Sequence, residues 1–284
     1  MPKITVLVDN ETSDARLACQ HGLSIWLETD RSRILFDTGQ DGLFTRNARA
    51  LDIPVETATH LVLSHGHYDH TGGVPSLIET GARPRVIIHA DSWCRRRSIH
   101  ADGQAHPVGI PWRKELLSEH NLQVTVNRGI YCIEPGVYVI SIGNFARLTA
   151  RHPNLQRHID GGWQPDTFPD EQILVLHTEH GLAVISGCTH SGIDTLLECV
   201  KAAIGDAPIY ALLGGLHLGS VSEEGITRSA ELLQDVRNVW VNRCTGGNAC
   251  TALQGILGDS VQWMGAGAGR VLQSPAATPL HSKP

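Results

Sequence analysis

The sequence predicts an α/β protein. Short, continuous apolar runs recur along it, each bounded by Gly, Asp or Pro, which suits strands buried on both faces. Stretches that read as helices lie between them. The composition, 41% hydrophobic and 18% charged over 284 residues, is that of a packed globular chain, and α/β architectures of this length often form one unit.

Residues 4–8, 23–28 and 33–36 read as strands, and Asp37-Thr38-Gly39 closes the third. A helix is expected at 43–51, a buried strand at 61–63, a second helix at 74–79 and another strand at 86–88. From about 92 to 129, and again from about 144 to 169, the pattern gives way to polar sequence with Pro and Gly. Long irregular segments of this kind tend to be functional loops or lids. Strand signals return at 137–140, 173–176, 183–185, 209–213 and 239–241, with helices at 195–203 and 227–236. The expected organisation is one domain over 1–272, with the two irregular stretches as insertions. Residues 273–284, rich in Pro and Ala, read as a poorly ordered tail.

A formal net charge of -6 argues against a nucleic-acid partner, because no dense basic stripe exists to neutralise phosphates. Arg95-Arg96-Arg97 is the one basic run, read as solvated surface or as an anion contact for a small substrate. The seven cysteines are odd in number and scattered, which points to reduced thiols in a cytoplasmic protein rather than a disulfide framework. The chain opens on a strand pattern without the apolar segment of a signal peptide. No apolar run approaches the roughly 20 residues that cross a bilayer. The expected partner is a small-molecule substrate, with neither nucleic acid nor membrane involved.

His65, His67, Asp69 and His70 place four candidate ligands in six residues, directly after an apolar run. A strand end turning into a loop that contains Gly66 can bring such side chains to one point. Imidazole nitrogen and carboxylate oxygen suit zinc, manganese or iron. His65 and His67 can hold one ion while Asp69 and His70 face a second. Gly72 and Gly73 then let the backbone turn sharply into a helix. His-x-His-x-Asp-His resembles the signature of the metallo-β-lactamase superfamily, one of the more specific short motifs known. The resemblance implies a four-layer αββα sandwich, with one or two zinc ions at one edge between two sheets. Asp37-Thr38-Gly39 matches the superfamily's strand-end Asp-x-Gly element, whose Asp is expected to orient a ligand imidazole. A plain turn Asp is the other reading.

A narrower resemblance spans most of the chain. Leu7-Val8-Asp9-Asn10, His21-Gly22-Leu23-Ser24, Ser186-Gly187-Cys188-Thr189-His190-Ser191-Gly192, Gly214-Gly215-Leu216-His217-Leu218 and Cys244-Thr245-Gly246 all fit one subgroup. That subgroup is named after 7,8-dihydropterin-6-methyl-4-(β-D-ribofuranosyl)aminobenzene-5'-phosphate synthase. One fold hosts many chemistries, so the name is a loose guide to substrate. His190 is expected as a further metal ligand. Cys188 stands where many superfamily members carry a metal-bridging aspartate, and reads as a thiolate ligand or a buried structural thiol. His217, at a strand end, is a ligand, a substrate contact or a structural histidine. The subgroup usually has His immediately before Cys-Thr-Gly, and here that residue is Arg243, which cannot ligate a metal. Either His217 completes the second site, or that site is weak or empty. Arg243 then clamps a substrate carboxylate or phosphate, or turns out to solvent. His21 and Asp9 are expected to line the pocket. Trp93, Trp112 and Trp163 cover a planar or apolar substrate, or else anchor their loops to the core.

The activity implied is hydrolysis of a small phosphate ester, lactone or related acyl compound through a metal-bound hydroxide, with Asp69 ligating the metal and orienting the water. A pterin-type transferase is the second reading. A non-catalytic, ligand-binding member of the fold is the third, kept open by Arg243.

Overall fold

The computed structural model describes residues 1–273, which build two seven-stranded sheets stacked on a common core. The first runs, in spatial order, Gly269–Val271, Lys3–Val8, Ser24–Glu28, Arg33–Phe36, His60–Val62, Arg85–Ile88 and Val124–Val126. The second runs Val261–Trp263, Asn238–Val241, Ile209–Gly214, Gly181–Ile185, Gln172–Thr178, Val137–Ser141 and Ile130–Glu134. Each sheet has three antiparallel pairings on one side and three parallel pairings on the other.

The two-residue period of a strand assigns the layers. Ile34, Phe36 and Val62 join Leu174, Ala183 and Leu213 in the core between the sheets. Their neighbours Leu35 and Leu61 face the other way, in a cluster with Phe44 and Leu77 of the helices Leu43–Ala50 and Val74–Glu79. The second sheet repeats this, with Ile173, Val175 and Val184 under the helices Ile193–Ile204, Glu223–Leu233 and Gly247–Leu257. The result is the expected order of helix, sheet, sheet and helix. Burial on both faces is why the strands read as unbroken apolar runs. Each fully buried Leu, Ile or Phe contributes about 1.5–3 kcal/mol by leaving water.

Three local differences from the sequence reading have physical causes. The helix expected at 227–236 starts at Glu223, because Ser222 Oγ accepts the Gly225 N–H at 3.3 Å and caps it. The stretches near 92–129 and 144–169 are not irregular throughout. Arg96–Ile99, Ala105–Pro107, Leu155–Ile159 and Gly162–Pro165 pair into an antiparallel four-stranded sheet. Arg96 anchors this sheet and is neither solvated nor free to contact an anion. It is buried, donating Nε to Asp166 Oδ2 at 2.7 Å and Nη2 to Asp170 Oδ1 at 2.6 Å. Beyond Gln273, the tail expected at 273–284 lies outside the described residues. Among the described residues, no helix is long and apolar enough to cross a membrane.

Candidate metal centre

The carboxyl ends of six strands deliver the site. Asp9 follows Lys3–Val8, Asp37 follows Arg33–Phe36, and His65 comes shortly after His60–Val62. From the second sheet, Cys188 and His190 follow Gly181–Ile185, His217 follows Ile209–Gly214, and Arg243 follows Asn238–Val241. Ligands of α/β sheets commonly bind beyond this edge.

His65, His67 and His190 each offer a ring nitrogen within 4.8 Å of the other two. His65 Nε2, His67 Nε2 and both ring nitrogens of His190 are buried without a hydrogen-bond partner among the described residues. Buried polar atoms are nearly always paired, so three such imidazoles aimed at one point fit a metal ion. Burial holds all three well below the usual histidine range, which keeps them neutral, the form that ligates.

The rings are held from behind. Asp37 accepts the Ser64 N–H at 2.7 Å and its hydroxyl at 2.6 Å, and Asp37 Oδ2 lies 2.5 Å from His70 Nδ1. Ser64 Oγ is in turn 2.9 Å from His65 Nδ1. Glu171, fully buried, accepts the N–H groups of His190 and Ser191 at 2.7 and 3.0 Å. Asp170 Oδ2 accepts the Gly66 N–H at 2.8 Å, and the Phe168 ring stacks on His190 at 4.0 Å. A Cβ on Gly66 would lie 2.2 Å from the Ser92 carbonyl oxygen, so only glycine lets this loop close on that segment. Gly72 and Gly73 serve close approach in the same way, since a Cβ there would meet the carbonyls of Gln40 and Thr38 at 2.2 and 2.3 Å.

Arg243 points inward. Its buried guanidinium hydrogen-bonds Asp69 Oδ2 and His70 Nε2, and lies 3.4 Å from Cys188 Sγ and 3.2 Å from His21 Nε2. Asp9 Oδ1 accepts the Arg243 N–H at 2.8 Å, which fixes the backbone behind it. Burial pushes the Asp69 carboxyl up, but the guanidinium overrides it and holds Asp69 well below the usual carboxylate range. Burial pushes the Cys188 thiol well above its usual range. His21 is half-exposed, with Nε2 at 3.2 Å from Asp69 Oδ2.

His217 does not join Asp69 and His70. It stands with His152 and His190, at ring-centroid distances of 4.1 and 4.5 Å, and these three form a further group with ligand spacing. Burial holds the His217 imidazole down to about 4. His152 has no sequence signature, being one of two histidines, with His158, in a polar stretch that matches no motif. The buried acids left a faint one, as the pair Asp170-Glu171 immediately ahead of an apolar strand.

The family model of the metallo-β-lactamase superfamily matches residues 18–200. The chain belongs to the metallo-β-lactamase superfamily. An uncharacterized protein of Methanocaldococcus jannaschii is 31% identical over 254 residues, covering 88% of this chain and 93% of that one. The 7,8-dihydropterin-6-methyl-4-(β-D-ribofuranosyl)-aminobenzene-5'-phosphate synthase of the same organism is 28% identical over 242 residues, 80% of this chain and 81% of the synthase. Among solved structures, a metal-dependent hydrolase of the β-lactamase superfamily aligns with a TM-score of 0.83 and 27% identity, over 96% of this chain and 100% of its own. In this metallo-β-lactamase-superfamily chain, the space between Asp69, His70 and Cys188 is filled by the guanidinium of Arg243.

Proposed function

We propose that the protein is a metal-dependent hydrolase of small phosphate esters, lactones or related acyl compounds. In this reading His65, His67 and His190 hold a single transition-metal ion, zinc first, manganese or iron next. The convergence of three buried, neutral imidazoles, each with a ring nitrogen left without a partner among the described residues, carries it. A zinc ion so held supplies Lewis acidity and lowers the pKa of water to about 7. Asp69 is ionised throughout the neutral range, so it is a weak base but a constant hydrogen-bond acceptor, suited to orienting the attacking water. His152 and His217, beside His190, are placed to contact the substrate or to extend the ligand set. Arg243 supplies a fixed positive charge against the negative charge that builds on the substrate. The same charge disfavours a second divalent ion beside Asp69 and His70, because like charges this close in a buried site repel strongly. Similarity to the pterin-type synthase supports a second reading, a transferase that joins two substrates, and product analysis separates the two.

Elemental analysis of protein purified without chelator should find one transition-metal ion per chain, and Arg243→His should take up a second. Hydrolysis across a panel of phosphate esters and lactones should be lost in His67→Ala. Negligible metal, with no uptake on addition, overturns the hydrolase reading. Two ions in the unsubstituted protein overturn the role given to Arg243.

A further inference from the structure

We propose that the cavity bordered by Tyr68 binds a planar aromatic group bearing a negative charge, and that this is where the non-reacting part of the substrate is recognised. Its volume, about 920 Å³, is that of a small-molecule site. Trp93, Trp112 and Trp163 line it, the first two meeting edge to face at 5.1 Å. The cations sit on these rings. Arg97 lies 4.3 Å and Arg95 5.6 Å from the centre of Trp163, and Lys114 lies 5.8 Å from Trp93. Among the described residues, no acidic one lines the cavity. Among the described residues, none of these three cations makes an ion pair. In a chain of net charge -6, that concentrates positive charge on aromatic faces in one place. An aromatic ring can stack on indole there while its charged group meets a guanidinium or ammonium.

The site is formed in advance and tied to the metal-centre segment. Arg96, between Arg95 and Arg97, is locked by Asp166 and Asp170, and Asp170 also holds Gly66. Trp112 Nε1 donates to the Thr71 carbonyl at 2.7 Å, one residue past His70. Tyr68, between His67 and Asp69, is part of the cavity wall. That the occupant is substrate rests on the hydrolase reading, whereas the binding itself does not.

The test titrates metal-loaded protein with 2-naphthalenesulfonate, followed by tryptophan fluorescence and calorimetry. The comparison compounds are 2-naphthol, cyclohexanesulfonate and sulfate. The naphthalenesulfonate should bind about tenfold or more tighter than each of them, a difference of about 1.4 kcal/mol. Arg97→Gln and Trp163→Leu should each weaken it on the order of tenfold, with metal content unchanged. Lys114→Gln, on an exposed side chain, provides a further charge variant should Trp163→Leu misfold. Equal binding of cyclohexanesulfonate or 2-naphthol, or no effect of Arg97→Gln and Lys114→Gln, overturns the proposal. Selective binding in a protein that holds no metal and hydrolyses nothing keeps the binding site and removes the hydrolase reading instead.

Discussion

Replacing Arg96 by Met removes a guanidinium that two buried carboxylates face at 2.7 and 2.6 Å, leaving Asp170 without its guanidinium partner and Asp166 with only the more distant Arg157. Breaking a buried ion pair by deleting one partner costs about 3–5 kcal/mol. The structure places this case toward the lower end of that range. Asp170 keeps the Gly66 N–H at 2.8 Å, and Asp166 keeps the Phe168 N–H at 2.8 Å with Arg157 at 3.9 Å. A loss of about 3 kcal/mol is therefore expected. Its pH dependence has a definite sign. Burial already raises the Asp170 carboxyl, with Arg96 opposing, so deleting Arg96 raises it further. A carboxyl raised in the folded state stabilises the fold at low pH, and that contribution is lost as pH rises through the folded value. The deficit of Arg96→Met should thus be larger at pH 8 than at pH 5. Urea unfolding of both proteins at a fixed metal concentration, followed by circular dichroism, measures it. A loss under about 1 kcal/mol, the value of an exposed pair, and equal at the two pH values, would refute the anchoring role of Arg96.

Two further outcomes follow from the site. Asp37→Asn disturbs the chain from Asp37 through Ser64 to His65, so metal affinity measured by chelator competition should fall about 10–100-fold. Asp9 is raised from 3.8 to about 6 by burial, so its ionised form costs stability at neutral pH. Asp9→Asn should gain on the unsubstituted protein as pH climbs from 4 through 6, by at most about 3 kcal/mol. A flat difference across a pH series of unfolding midpoints would show that Asp9 does not titrate there.

The layers were legible because their causes are local. Strands such as Arg33–Phe36 are short, apolar and sharply bounded, and His65 to His70 are adjacent in the chain. What escaped the sequence depends on pairing at a distance. Arg96 reads as the middle of an ordinary basic run, and only its meeting with Asp166 and Asp170 makes it a buried anchor. The four-stranded sheet hid because its strands carry little apolar pattern; every residue of Ala105–Pro107 is exposed. The helix Gly247–Leu257 is preceded by Gly246 and contains Gly255, residues that usually punctuate helices. His217 could be placed at a strand end, but not beside His152 rather than Asp69, because that depends on how the two halves of the chain meet.

The charge that Arg243 carries into the buried site is covalent. An ion can be stripped by a chelator, starved by poor supply or exchanged for the wrong element, since raw affinities for divalent metals follow a fixed order that proteins cannot easily invert. A guanidinium is exposed to none of these hazards and is delivered at synthesis in fixed proportion to the chain. What is given up is versatility, because it neither accepts a ligand nor acidifies water. On the one-ion reading proposed above, such a protein would depend on metal supply for one position only, and the guanidinium's own charge beside Asp69 stays in place whether that supply is rich or poor.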